Sequence, residues 1–139
     1  HELGHVLGIG TLWDTSWMST GLRRLLNGAG GSNPTYTGAA GVAEWSTLGR
    51  SGNVPVENSG GSGTRDSHWR ETTFGSELMT GYINWPSNPM SRVTVASMAD
   101  LGYRVDLGAA DAYSLPGASA IRDSRAPQGT WERPPIGTL

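Results

Sequence analysis

The pattern of apolar and polar positions predicts one helix at the start of the chain and a second one far downstream. His1, His5 and Ile9 lie on one helical face, because residues four apart in an α-helix project in the same direction. A glycine-containing run, LGIG, follows this pattern and predicts the end of the helix. We therefore expect the first helix over residues 1–10.

The second helix is expected over residues 91–101, within the stretch SRVTVASMADLG. Val95, Met98 and Leu101 repeat with the period of an α-helix and would form one apolar stripe. Ser91 or Thr94 can cap the first turn, because a hydroxyl can accept a hydrogen bond from an early helical N–H. The pattern indicates a helix that packs on the core through one face.

The rest of the chain has weaker patterns. Residues 11–67 are rich in glycine and other turn-forming residues, so we expect a long irregular insertion with only a weak helical pattern near residues 39–48. Residues 68–82 contain the apolar run FGSELMTG, which predicts a compact turn against the core. The segment 114–139 contains four of the eight prolines and is expected to be an irregular or disordered tail.

Composition narrows the class of protein. The 139 residues suffice for one compact domain, and 10 basic against 12 acidic residues argue against a nucleic-acid surface or a polybasic membrane patch. The absence of cysteine excludes disulfides, thiolate metal sites and a cysteine nucleophile. Because the chain begins with a histidine and not with an initiator methionine, we expect it to be the C-terminal fragment of a longer protein.

The opening residues, HELGH, are typical of a zinc-binding helix. His1 and His5 stand four residues apart, so both imidazoles can contact one ion from the same helical face. Glu2 projects beside that face, where its carboxylate can accept a proton from a water molecule activated by the metal. The alternative is a chance match or a solvated pair of histidines, but two of the chain's three histidines stand at this spacing.

A zinc site needs a third protein ligand, and the candidate is His68, the one histidine that remains. Asp66 is the alternative, because carboxylates also bind zinc. A carboxylate as the third ligand would place the protein in another class of zinc enzymes. Four glutamates are weaker candidates for the same role: Glu44, Glu57, Glu71 and Glu77. Met79 would be an ordinary core residue unless a methionine-bearing turn lies below the metal.

Together, HELGHVLG, the distant His68 and ELMTG resemble the leishmanolysin-like branch of the metzincin metallopeptidases. Metzincins usually carry HExxHxxGxxH, whereas in this branch a long insertion separates the glycine from the third histidine. Thr11 stands where the shorter motif has that histidine. The stretches PVENSGGSGTRDSHWRE, FGSELMTGYIN and SRVTVASMADLGYRV also resemble this branch, so the resemblance covers roughly residues 1–113.

The resemblance implies a zinc endopeptidase that acts on protein or peptide substrates, either secreted or at the cell surface. One catalytic Zn²⁺ would be bound by three imidazoles, those of His1, His5 and His68. Glu2 would be the general base and acid, Gly8 would permit the turn below the zinc helix, and Met79 would form the Met-turn. Tyr82, shortly after the Met-turn, is expected to be a structural aromatic residue.

The implied fold is α+β and metzincin-like, restricted to the C-terminal subdomain, with a zinc helix, a glycine-rich insertion, the Met-turn, a following helix and little regular sheet. In metzincins the N-terminal subdomain supplies the strand that binds the substrate, so the fragment alone is at risk of being inactive. Two alternatives stay open: a zinc hydrolase whose third ligand is Asp66, and a non-catalytic module with a structural metal. Glu2 argues against the module, because a structural metal site has no use for a base.

Overall fold

The computed structural model describes residues 1–15 and 23–117, and within them the fold is a small α+β arrangement. The elements are α1 Glu2–Val6, β1 Leu26–Asn27, β2 Thr35–Tyr36, α2 Ala39–Thr47, β3 Val54–Pro55, α3 Glu71–Phe74 and α4 Arg92–Asp100. A 3₁₀ turn over Leu107–Ala109 follows α4. Residues 114–117 adopt neither helix nor strand, and the rest of the predicted tail lies outside the described residues.

The first helix is shorter than the sequence predicts. α1 ends at Val6 instead of near residue 10, and turns continue to Trp13. The physical reason is Gly8, whose φ of +112° lies in a region that side-chain-bearing residues rarely adopt and that no α-helix contains. After this change of direction, the side chains of Ile9 and Trp13 are buried in the core.

The described part of the insertion, residues 11–15 and 23–67, contains α2 and a small sheet. Three strands form this antiparallel sheet in the order β1-β2-β3, in which Leu26 lies opposite Tyr36 and Tyr36 opposite Val54. These three side chains are buried, so the sheet places one residue of each strand in the core. Each strand has only two residues, which explains why no alternating pattern is visible in the sequence.

A single carboxylate joins α2, α4 and the sheet. α2 begins after Gly38, which has no side chain to cap it. Asp100, at the end of α4, supplies the cap: its Oδ1 accepts the N–H of Ala40 at 2.9 Å and its Oδ2 that of Gly41 at 3.0 Å. The hydroxyl of Tyr36 donates to the same carboxylate at 2.7 Å. The helix that the sequence indicates only weakly is therefore completed by a distant residue.

Packed aromatic rings form the centre of the core. The ring centroids of Trp13 and Trp69 lie 4.5 Å apart, Tyr36 lies 5.1 Å from Trp13, and Phe74 lies 5.6 Å from Trp69. All four side chains are fully buried. Because each aromatic ring removes roughly 150–250 Å² of surface from water, this cluster gives a cysteine-free chain a substantial hydrophobic core.

Candidate metal centre

Three imidazoles converge where α1 meets the segment that precedes α3. The Nε2 atoms of His5 and His68 lie 3.0 Å apart, and Nε2 of His1 lies 3.2 Å from each of them. His1 immediately precedes α1 and His5 lies within it, whereas His68 arrives from the far end of the insertion. In residues 1–15 and 23–117, this is the one group of histidine and acidic side chains whose atoms converge closely enough for a metal ion.

The other ring nitrogen of each imidazole is held by a backbone carbonyl. The Nδ1–O distances are 2.7 Å from His1 to Leu78, 2.9 Å from His5 to Ile9 and 2.8 Å from His68 to Thr64. A carbonyl oxygen can only accept, so each Nδ1 carries the proton. In a neutral ring, each Nε2 then carries a lone pair that points toward the other two Nε2 atoms.

This arrangement fits a zinc ion. Nitrogens bound tetrahedrally at about 2.0–2.1 Å from zinc lie about 3.3 Å from one another, close to the 3.0–3.2 Å between the Nε2 atoms here. Burial lowers the pKa of the His68 imidazole, and its hydrogen bond to Thr64 opposes that shift only in part. The neutral ring that burial favours is the form that binds metals.

Glu2 lies in the first turn of α1, next to His1, and its side chain is exposed. Its negative charge is close enough to His68 to favour the protonated form of that imidazole, although burial has the larger effect on the pKa of His68. The carboxylate is therefore close enough to His68 to affect its charge and is accessible to water, as a group that exchanges protons with solvent must be.

Met79 lies directly below α1, with 1 % of its surface exposed. A Cβ built on Gly4 would lie 2.8 Å from the Met79 sulfur, so an alanine at this position would force the end of the Met79 side chain to shift. Met79 is not a member of the converging group.

The return of the chain to His68 depends on Gly10. Its φ is +76°, and a Cβ built there would overlap the carbonyl oxygen of Ser67, the residue before the third histidine. Thr11, where the shorter metzincin motif has its third histidine, donates its hydroxyl to the carbonyl of His5 at 2.8 Å. Thr11 therefore helps to close the end of α1, while the backbone contact at Gly10 brings His68 to the other two rings.

The carboxylates considered as third ligands are engaged elsewhere. Asp66 accepts the N–H of Gly30 at 2.9 Å, and Glu44 forms an ion pair with Arg92 at 2.8 Å. The remaining three bind other groups: Glu57 accepts the N–H of Glu71 at 2.9 Å, Glu71 the side-chain amide of Asn84 at 3.0 Å, and Glu77 the N–H of Met79 at 2.6 Å. None of the five belongs to the group that converges with the histidines.

The surroundings of the centre include an open cavity and one exposed aromatic ring. A cavity of about 460 Å³ opens beside His5, with Thr11 and Arg65 among its lining residues. Tyr82, expected to be a structural aromatic residue, has 56 % of its surface exposed.

An HExxH helix joined to a third histidine from a distant segment defines the class of HExxH zinc-binding proteins. The family model described as leishmanolysin matches residues 1–118, and the chain belongs to this family. The family comprises zinc metalloproteases, which act on peptides and are typically extracellular or surface-associated. Neither a curated protein nor a solved structure matches the chain. Among the described helices, none has the length and apolarity to cross a membrane.

The contact at Gly10 generates a prediction with a matched control. Gly52 has nearly the same φ, +74°, but a Cβ built on it meets nothing within 4 Å. Both Gly10→Ala and Gly52→Ala introduce backbone strain, of about 1–2 kcal/mol. Only Gly10→Ala adds a collision with Ser67, so we expect it to lower the free energy of unfolding by about 2 kcal/mol more and to weaken zinc binding. Chelator competition and urea denaturation measure the two effects, and equal zinc affinities in the two variants would contradict this role of Gly10.

Proposed function

We propose that this chain carries the catalytic centre of a zinc-dependent endopeptidase of the leishmanolysin type. The observation that supports this most strongly is the convergence of three Nε2 atoms within 3.0–3.2 Å, with each Nδ1 bound to a carbonyl. Membership of the leishmanolysin family supports the same reaction class. In this proposal the fold is the C-terminal part of a metzincin catalytic domain, and the protein acts outside the cell or at its surface.

Each residue of the centre has a stated role in peptide hydrolysis. His1, His5 and His68 bind one Zn²⁺ through Nε2. When bound, zinc polarises the scissile carbonyl and acidifies a water molecule. Glu2 accepts the proton of the water as its oxygen attacks the carbonyl carbon, and it delivers that proton to the nitrogen as the C–N bond breaks. The exposure of Glu2 and its proximity to His68 support this assignment.

Two further residues support the centre from outside it. Gly8 allows the chain to turn below α1, consistent with its φ of +112°. Met79 provides the Met-turn, in keeping with its burial against Gly4. Protein or peptide substrates would bind across the exposed side of the imidazoles, together with the N-terminal subdomain that metzincins use to hold an extended chain.

Replacing Glu2 tests the catalytic role directly. Glu2→Gln keeps the size of the side chain but removes its basicity, so we expect casein cleavage by the purified protein to fall by at least about 100-fold. Zinc content, measured by atomic emission, should stay at one ion per protein because the three imidazoles are unchanged. Full cleavage activity in Glu2→Gln would exclude Glu2 as the base, and loss of both zinc and activity would indicate a structural role instead.

Paired alanine variants test the identity of the third ligand. His68→Ala removes one imidazole, so we expect stoichiometric zinc to be lost on dialysis against a weak chelator, whereas Asp66→Ala should keep it. The opposite result would favour the zinc hydrolase with a carboxylate ligand. Stoichiometric zinc without any cleavage of casein by the complete protein would favour a non-catalytic zinc module.

A further inference from the structure

We propose that Glu77 is a positioning residue for the metal centre. Its buried carboxylate holds the peptide group between Leu78 and Met79, and the carbonyl of that peptide orients the imidazole of His1. The inference rests on the proposed function, because it takes His1 to be a zinc ligand. Glu77, which the sequence offers only as a weak ligand candidate, would thus orient a zinc ligand without contacting the metal itself.

The first observation is the environment of the carboxylate. Glu77 is 0 % exposed, and every group that contacts its oxygens is a donor. Oε2 accepts the N–H of Met79 at 2.6 Å, while Oε1 accepts the N–H of Ser91 at 2.9 Å, the hydroxyl of Ser91 at 2.8 Å and the hydroxyl of Thr94. Neither oxygen faces solvent, so the carboxylate is fixed in one orientation.

The donors around Glu77 favour the ionised form of its side chain. Both backbone N–H groups can only donate, and the two hydroxyls have acceptor roles elsewhere, Ser91 toward the N–H of Thr94 and Thr94 toward the indole of Trp69. Four donors around one side chain favour the ionised carboxylate, which can only accept. Burial raises the pKa of Glu77, and these four hydrogen bonds oppose that rise.

The second observation is the connection to His1. The N–H of Met79 and the carbonyl of Leu78 belong to one rigid, planar peptide group. The N–H side donates to Glu77 at 2.6 Å, and the carbonyl side accepts from Nδ1 of His1 at 2.7 Å. A carboxylate on the N–H side polarises the peptide and makes its carbonyl a stronger acceptor. Glu77 therefore favours the Nδ1–H tautomer of His1, which leaves Nε2 free for zinc.

A third observation links the same carboxylate to the segment of the third histidine. Thr94, which donates to Glu77, accepts the indole N–H of Trp69 at 2.8 Å, and the backbone N–H of Trp69 donates to the carbonyl of Met79 at 2.9 Å. Trp69 directly follows His68. The first turn of α4, the Met-turn and the end of the insertion are thus held in one hydrogen-bonded unit around Glu77.

Glu77→Gln tests this role with minimal change in size. The glutamine amide has an oxygen that accepts and an NH₂ group that donates. Because each carboxylate oxygen of Glu77 accepts a backbone N–H, the NH₂ group faces one of these donors in either orientation of the amide, and that hydrogen bond is lost. We expect the zinc dissociation constant, measured by chelator competition, to rise about 10- to 100-fold. In the zinc-free protein, exchange of the His1 Nδ1 proton with water, measured by NMR, should also become faster.

Tyr36→Phe is the matched control for stability. Tyr36 is also fully buried, and its hydroxyl donates to Asp100 at 2.7 Å, but it contacts none of the three histidines. We expect Tyr36→Phe to lower the unfolding midpoint while leaving zinc affinity and His1 proton exchange unchanged. A purely structural role of Glu77 would make the two variants behave alike.

The outcomes separate the inference from the proposed function. Wild-type zinc affinity and His1 proton exchange in a folded Glu77→Gln protein would overturn the role of Glu77 while leaving the zinc site intact. If His1→Ala in the otherwise wild-type protein left zinc binding unchanged, that result would instead overturn the proposed set of three zinc ligands. If Glu77→Gln does not fold, Thr94→Val removes one donor from the carboxylate. Several-fold weaker zinc binding is then expected, and unchanged affinity would refute the inference.

Discussion

The hydrogen bond from each Nδ1 to a backbone carbonyl is the constraint on which the centre depends. Three neutral imidazoles with Nε2 atoms 3.0–3.2 Å apart repel one another through their lone pairs, and the carbonyls prevent the rings from rotating away. Two of these carbonyls are local, each four residues from its histidine, whereas the one for His1 comes from Leu78, 77 residues away. The three imidazoles therefore converge only when the exit from α1, the end of the insertion and the turn that carries Leu78 are all in place.

Buried carboxylates and aromatic rings give these three segments their rigidity in a chain without disulfides. Glu77 joins the backbone at Met79 to the start of α4. Glu57, 2 % exposed, accepts the N–H of Glu71 at the start of α3, while its own N–H donates to the carbonyl of His68. The rings of Trp69 and its neighbours fill the space beneath. Each buried charge is compensated by several donors, as a low-dielectric interior requires, so the polar network and the apolar core specify the same arrangement.

The three histidines that converge could be singled out from the sequence because a zinc site requires particular residue types at particular spacings, and the chain has only three histidines. The supports could not be predicted in the same way. The weak ligand candidates Glu57 and Glu77 are buried anchors, which only contacts between distant segments reveal. The cap that Asp100 provides for α2 and the contact of Gly10 with Ser67 also join residues remote in the chain. Strands of two residues carry no detectable period.

The central claim is that three imidazoles, and no carboxylate, bind one zinc ion. X-ray absorption at the zinc edge of the zinc-loaded protein tests this most directly, because imidazole rings give multiple-scattering features that carboxylates lack. Three imidazole nitrogens and one further oxygen, all at about 2.0 Å, are the expected first shell. Two imidazoles with a carboxylate, or an octahedral shell of oxygens, would contradict the claim.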